Sequence, residues 1–279
     1  MMASIKRVFL IFLCLLAIQI RAQENKEKID KVPIIIGESI TFYSKVLDED
    51  RTLNIYLPQG YSADSTKTYP VIYLLDGSID EDFVHISGIV QFGSFSWINM
   101  IPETIVIGIS NVDRKRDFTY PTTIEQDKKD FPTTGESEKF INFIEVELQP
   151  MVKALYKVNG IKTIIGQSLG GLLATEILFK KPDLFDNYII ISPSLWWDNQ
   201  SLLKLKPKVY SSHKNIYIGV GKEGDIMEKD AKQLYKNLNS NRKENTKVHF
   251  GFFEKLDHGD TLHLAVYSAF EELFKVKKD

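Results

Sequence analysis

The sequence predicts an α/β fold: a central, mostly parallel sheet with antiparallel strands at its N-terminal side and helices on both faces. Three observations carry this. Short, largely apolar runs recur at 71–75 (VIYLL), 105–109 (IVIGI), 161–165 (IKTII) and 188–191 (YIII), as expected of strands covered on both sides. Segments of helical period fall between the later runs, the alternation of a parallel sheet. The first two runs alternate instead, as strands with one wet face do.

In chain order, SITFYS at 39–44 and RTLNIYL at 51–57 flank the acidic turn LDED and predict an antiparallel hairpin. A loop through Pro58 leads to the strand at 71–75, which stops at Asp76-Gly77. The strand at 105–109 runs into SNVDRKRDFTYPTT. Residues 137–155 place Phe140, Phe143, Ile144 and Leu148 on one stripe and predict a helix that Pro150 tightens or kinks. Asn159-Gly160 is a turn before the strand at 161–165, and a helix is expected at 169–179. Strands at 188–191, 215–220 and 247–253 then alternate with helices at 227–238 and 266–274. No long linker or repeat interrupts the series, so residues 23–279 read as a single domain.

Residues 1–22 are set apart. Lys6 and Arg7 precede a 12-residue apolar stretch at 9–20, then Arg21, Ala22 and a charged run. That is the pattern of a secretory signal, and the stretch is short for a spanning helix. The expectation is export, to the periplasm or beyond, with the segment cleaved or kept as an N-terminal anchor. After cleavage no stable membrane insertion is expected. Lys6, Arg7 and Arg21 leave with the segment and no acid does, which takes the net charge from −2 to −5. Neither value suits a nucleic-acid binder. Cys14, the only cysteine, lies in the same segment. The remaining chain has no disulfide, thiol nucleophile or cysteine metal site.

The polar chemistry lies in loops after strands, which share one sheet edge in an open α/β fold. Gly166-Gln167-Ser168-Leu169-Gly170 follows a strand and precedes a helix. A sharp turn there exposes the Ser168 hydroxyl, Gly166 and Gly170 leave room for tight packing, and the helix N-terminus faces developing negative charge. No GK[ST] closes the loop, so it is not a phosphate cradle. Of the five histidines, His258 follows a strand in the polar turn LDHGD and is the expected base. His263 is its nearest competitor. The carboxylate behind the base is expected in the loop after the preceding strand, where Glu223 is favoured and Asp225 is the alternative. The order Ser168, Glu223, His258 is that of an α/β-hydrolase. The oxyanion hole should use the backbone amides of Leu169 and Ser78. Losing one such donor typically costs roughly 3 kcal/mol.

The assembled motifs resemble the putative-esterase family of the α/β-hydrolase superfamily. That family includes ferric-siderophore, feruloyl and acetyl-xylan esterases, S-formylglutathione hydrolase and mycolyltransferases. The matching pieces are RTLNIYLPQGY (51–61), YPVIYLLDG (69–77), GQSLGG (166–171), SPSLWW (192–197), VGKEGD (220–225) and HGDTLH (258–263). The resemblance implies Ser168 as nucleophile, His258 as base and Ser78 as the second oxyanion amide. It also implies Trp196 and Trp197 near the rim of the cleft. The acid varies within the family, which leaves Glu223 and Asp225 both open.

Aromatic and cationic residues at other strand ends supply candidate substrate contacts: Trp97, Arg116, Trp196 and Trp197. Aromatic walls suit a flat acyl group and a guanidinium suits an anion. The expected activity is hydrolysis of a small-molecule carboxylic ester, of a siderophore or another aromatic or acyl ester, through an acyl-enzyme. No metal or cofactor is expected, and any iron arrives with the substrate. An acyltransferase and a non-catalytic ligand-binding protein are the alternatives.

Overall fold

The apolar runs form the middle of one eight-stranded sheet. The computed structural model describes residues 30–240 and 242–275. The signal expected at 1–22, and with it the boundary at residue 23, lies outside these. The chain divides into two units between Ile35 and Ile36. Of the first, residues 30–35 are described, as exposed chain without regular structure. All that follows belongs to the second.

Its strands are β1 (Gly37–Ser44), β2 (Glu49–Tyr56), β3 (Tyr69–Leu74), β4 (Ile105–Ile109), β5 (Val158–Gln167), β6 (Asn187–Ile191), β7 (Lys214–Gly221) and β8 (Thr246–Phe253). Their order in space is β1-β2-β4-β3-β5-β6-β7-β8. β1 pairs antiparallel with β2, and β2 with β4; every later pairing is parallel. The chain moves outward from β3 to β4 and then returns to the other side of β3 for β5. The loops after β3 and β5 therefore part at a topological switch point, where a crevice opens.

The α-helices of five or more residues are α1 (Phe83–Gly93), α2 (Arg114–Phe118), α3 (Glu125–Asp130), α4 (Ser137–Phe143), α5 (Gln149–Leu155), α6 (Leu169–Lys180), α7 (Asp225–Ser240) and α8 (Thr261–Leu273). Strand alternation explains why the strands read as continuously apolar. Val71 and Tyr73 of β3 join the core under α4, α5, α6 and α7, while Ile72 and Leu74 join the core under α1 and α8. Each fully buried aliphatic or aromatic side chain contributes roughly 1.5–3 kcal/mol.

Residues 137–155 are helical but not uniform: a π turn, Ile144–Leu148, joins α4 to α5. Pro150 cannot donate to the carbonyl four residues back and crowds it, and the wide turn just before relieves both. The last helix begins at Thr261, five residues earlier than expected. α1, α2 and α3 were not anticipated. α2 is pinned by a buried ion pair, Arg51 Nη1 to Asp117 Oδ2 at 2.8 Å, with side chains 0% and 1% exposed. Among the described residues no helix is long and apolar enough to cross a membrane.

Candidate active site

β5 ends at Gln167, and Ser168 turns the chain into α6 with φ 58° and ψ −119°. Such a conformation typically costs a non-glycine residue about 1–3 kcal/mol and needs support from its surroundings. The support is backbone: Ser168 N–H donates to Ile191 O at 3.1 Å, and Ser168 O accepts from Ser194 N and Leu172 N, each at 3.0 Å. A Cβ on Gly166 would lie 2.4 Å from Gly170 O, so only glycine fits there. The second tight position is Gly171, whose Cβ would meet Ile191 O and Pro193 Cα at 2.9 Å. Gly170 has room, its nearest contact being 3.4 Å.

The carboxylate of Glu223 is 1% exposed, and its Oε2 lies 2.5 Å from His258 Nδ1. Its Oε1 accepts from Gly221 N–H at 2.8 Å and from the Ser192 hydroxyl. Burial pushes the Glu223 carboxyl up, but the hydrogen bonds from His258, Ser192 and Gly221 outweigh it and hold the group below its ordinary value. An ionised carboxylate only accepts, so Nδ1 carries the ring proton and Nε2 is left as the acceptor. The Asp225 side chain is 85% exposed at the start of α7 and pairs with Lys229 at 3.2 Å. The structure thus places Glu223, not Asp225, behind the imidazole. His263 sits on α8 against His85, with ring centroids 3.6 Å apart and the rings tilted by 33°. Burial and the neighbouring His85 lower its pKa.

Ser168 and His258 line one open cavity of about 700 Å³, together with Ser194, Trp196, Lys222, Glu223, Met227, Asp257 and Gly259. The Ser194 hydroxyl is 3.3 Å from that of Ser168. Of the four residues expected to touch substrate, the structure brings Trp196 to this cavity and not the others. Trp197 is 1% exposed, donates Nε1–H to Tyr120 O at 2.9 Å and backs Trp196 edge-on. Trp97 is 75% exposed and stacks on Phe95, away from the cavity lining. Arg116 is consumed by Glu49, at 2.6 and 2.9 Å, and by Asp117 at 2.8 Å.

Leu169 opens α6, where the first amides have no intrahelical acceptor. The Ser78 amide is outside the cavity lining and donates to Glu81 Oε2 at 3.3 Å. Around it lies a polar network that the sequence did not announce. Arg114 grips both oxygens of Asp76, at 2.6 and 2.9 Å, and reaches Gln167 O at 3.3 Å. Asn111 Nδ2 donates to Asp76 Oδ1 at 2.8 Å and to Glu81 Oε1 at 3.0 Å. The Asp82 carboxyl is pushed up to about 6, first by burial and then by Asp76 and Glu81. Ser192 and Ser194 were visible only as part of SPSLWW. Among the described residues no cluster of three or more His, Cys, Asp or Glu side chains could hold a metal ion.

The family model described as putative esterase matches residues 44–265. The chain is 30% identical over 244 residues to ferri-bacillibactin esterase BesA of Bacillus subtilis, covering 80% of this chain and 84% of that protein. Among solved structures it is similar to an IroE-like serine hydrolase from Shewanella oneidensis, with a TM-score of 0.75 and 28% identity over 86% of this chain and 80% of that one. It is also similar to the BES protein from Bacillus cereus, with a TM-score of 0.76 and 26% identity over 90% of this chain and 100% of that one.

Proposed function

The chain belongs to the putative-esterase family and is a serine esterase; from that premise we propose that Ser168, His258 and Glu223 are its catalytic triad and that its substrate is a siderophore-type ester. The observation that carries the assignment is the 2.5 Å pairing of His258 Nδ1 with the buried Glu223, at a cavity that Ser168 also lines. The substrate class is supported by the likeness to ferri-bacillibactin esterase BesA. A wide cavity with Trp196 on its wall and Lys222 at its edge suits a bulky, anionic aromatic ester.

The chemistry follows the site. Ser168 Oγ attacks the ester carbonyl carbon while His258 Nε2 takes its proton. Glu223 balances the imidazolium. The oxyanion is met by the Leu169 amide and by the Ser78 amide once the exposed Glu81 side chain has swung away. Collapse of the tetrahedral intermediate passes the proton to the leaving alkoxide and leaves an acyl-enzyme. Water, deprotonated by the same imidazole, then releases the acid and restores Ser168. The His258 side chain is 47% exposed, which favours water over a sequestered alcohol as acyl acceptor and so hydrolysis over transfer. Residues 1–22 fit an export signal, which would deliver the enzyme to esters outside the cytoplasm.

The test is hydrolysis of p-nitrophenyl acetate and of a ferric tris-catecholate triester by wild type and Ser168→Ala. The variant should lose at least about 10³-fold in kcat. Full activity in that variant would sink the triad, and inertness toward the triester alone would sink the substrate class.

A further inference from the structure

The nucleophile and the base stand on different loops, and very little ties those loops together. The His258 loop is braced mainly against itself: Asp257 N–H donates to Asp260 Oδ1 at 2.7 Å, Gly259 N–H to Asp257 Oδ1 at 2.8 Å and Thr261 Oγ1 to Asp257 O at 2.5 Å. Lys222 N–H reaches Leu256 O at 2.6 Å from the end of β7. Among the described residues one hydrogen bond joins the nucleophile elbow to this loop, from Gln167 Nε2 to the backbone carbonyl of His258, at 2.6 Å.

We propose that Gln167 is a positioning residue that sets the distance between nucleophile and base; the inference rests on the triad reading above. Gln167 is the last residue of β5, so the sheet fixes its Cα. The next residue is Ser168, locked by its own backbone bonds at φ 58°. The amide grips the main chain of residue 258 rather than its ring. It therefore places the Cα of the base while leaving the imidazole to Glu223. A half-exposed histidine on a loop with no such tether would sample positions in which Nε2 misses the Ser168 hydroxyl, and small misplacements of a reacting group are costly in rate.

Two variants test this in the full chain. Gln167→Ala should lower kcat on p-nitrophenyl acetate by about 10- to 100-fold with KM nearly unchanged. Gln167→Glu gives a sharper reading. Ionised, it cannot donate and repels the carbonyl; protonated, it regains a donor. Its kcat/KM relative to wild type should rise as pH falls through the ordinary glutamate range, although both enzymes slow. Glu223, Asp257, Asp260, Lys222 and Arg114 surround the site in both proteins and cancel in the ratio. A flat ratio, or wild-type kcat in both variants, overturns the proposal, as does a loss of rate that tracks a fall in thermal midpoint. If wild type hydrolyses the ester and Ser168→Ala does not, a negative result falls on Gln167 alone. If wild type is inert, the triad reading fails first.

Discussion

Glu223→Gln preserves shape and removes a charge, and the structure fixes how the new amide must sit. Oε1 is held by two donors, Gly221 N–H at 2.8 Å and the Ser192 hydroxyl. The glutamine oxygen will take that place, because turning it around sets its NH2 against the Gly221 N–H, which can only donate; the Ser192 hydroxyl can rotate to accept. A buried donor left unsatisfied costs about 1–3 kcal/mol, so the turned orientation is disfavoured by roughly that much. In the favoured one the NH2 faces His258 Nδ1, which must then give up its proton and become an acceptor. The proton moves to Nε2, and the imidazole can no longer take one from Ser168. At one decade per 1.36 kcal/mol, kcat should fall by between roughly 5-fold and 150-fold. The assay is steady-state hydrolysis of p-nitrophenyl acetate at pH 7.5, with Asp225→Asn beside it and a urea midpoint to confirm folding. Asp225→Asn should be unchanged, since that side chain is solvent-exposed and pairs with Lys229. A Glu223→Gln enzyme within threefold of wild type, or a collapse in Asp225→Asn, would remove Glu223 from its place behind the base.

Three further outcomes are expected. Glu81→Ala should raise kcat about fivefold by freeing the Ser78 amide from a 3.3 Å hydrogen bond worth about 1 kcal/mol; an unchanged or lower kcat would argue against Ser78 as an oxyanion donor. Asp82→Asn should stabilise the protein at pH 7.5 and not at pH 4. Burial raises the folded pKa from 3.8 to about 6, so the native state binds more protons than the unfolded chain in that window and stability falls as pH climbs through it. Discounted for partial exposure, the gain is about 1 kcal/mol, and equal urea midpoint shifts at both pH values would contradict it. Arg116→Ala should lower stability by about 1–2 kcal/mol and leave KM alone, because its guanidinium is spent on Glu49 and Asp117. A fivefold rise in KM at unchanged stability would return Arg116 to the substrate.

Several parts of this structure could be read from the chain because they are backbone necessities. A serine between glycines at a strand end, and a histidine after the last strand, follow from tight turns and strand ends that leave marks in local sequence. Glu223 against Asp225 could not be settled that way. They stand two residues apart where β7 leads into α7, and the choice is made by Gly221 N–H and the Ser192 hydroxyl, the latter from a different strand end. Arg114 and Arg116 are two residues apart on a short helix, so they point in nearly opposite directions; one meets Asp76 and the other Glu49. Trp196 and Trp197 sit at an irregular turn where Asp198, Asn199 and Gln200 all have positive φ, and no periodicity predicts which ring goes inside. α1 did leave a signal in the spacing of Phe83, Ile86 and Val90, all buried. Gly88 and Gly93 weaken it enough to pass for a loop.

The network around the β3 loop raises an electrostatic question that the triad does not answer. Asp76, Glu81 and Asp82 crowd a loop whose Ser78 amide is assigned to meet developing negative charge, and three full charges there would oppose it. Each is handled differently. Asp76 is neutralised by Arg114, which takes both carboxylate oxygens and also the carbonyl of Gln167, so one cation binds the β3 loop to the elbow. Asp82 is driven toward its neutral form, first by burial and then by the other two. Glu81 is exposed, so water screens it, and its carboxylate is held by Asn111 and by the Ser78 amide. Asp76 also holds a left-handed backbone, φ 54°, just before Gly77, where a Cβ would lie 2.3 Å from Gly108 Cα. Its side chain therefore cannot be traded for a distant one without releasing the turn that carries Ser78. Arg114 is what makes the acid cluster compatible with an oxyanion.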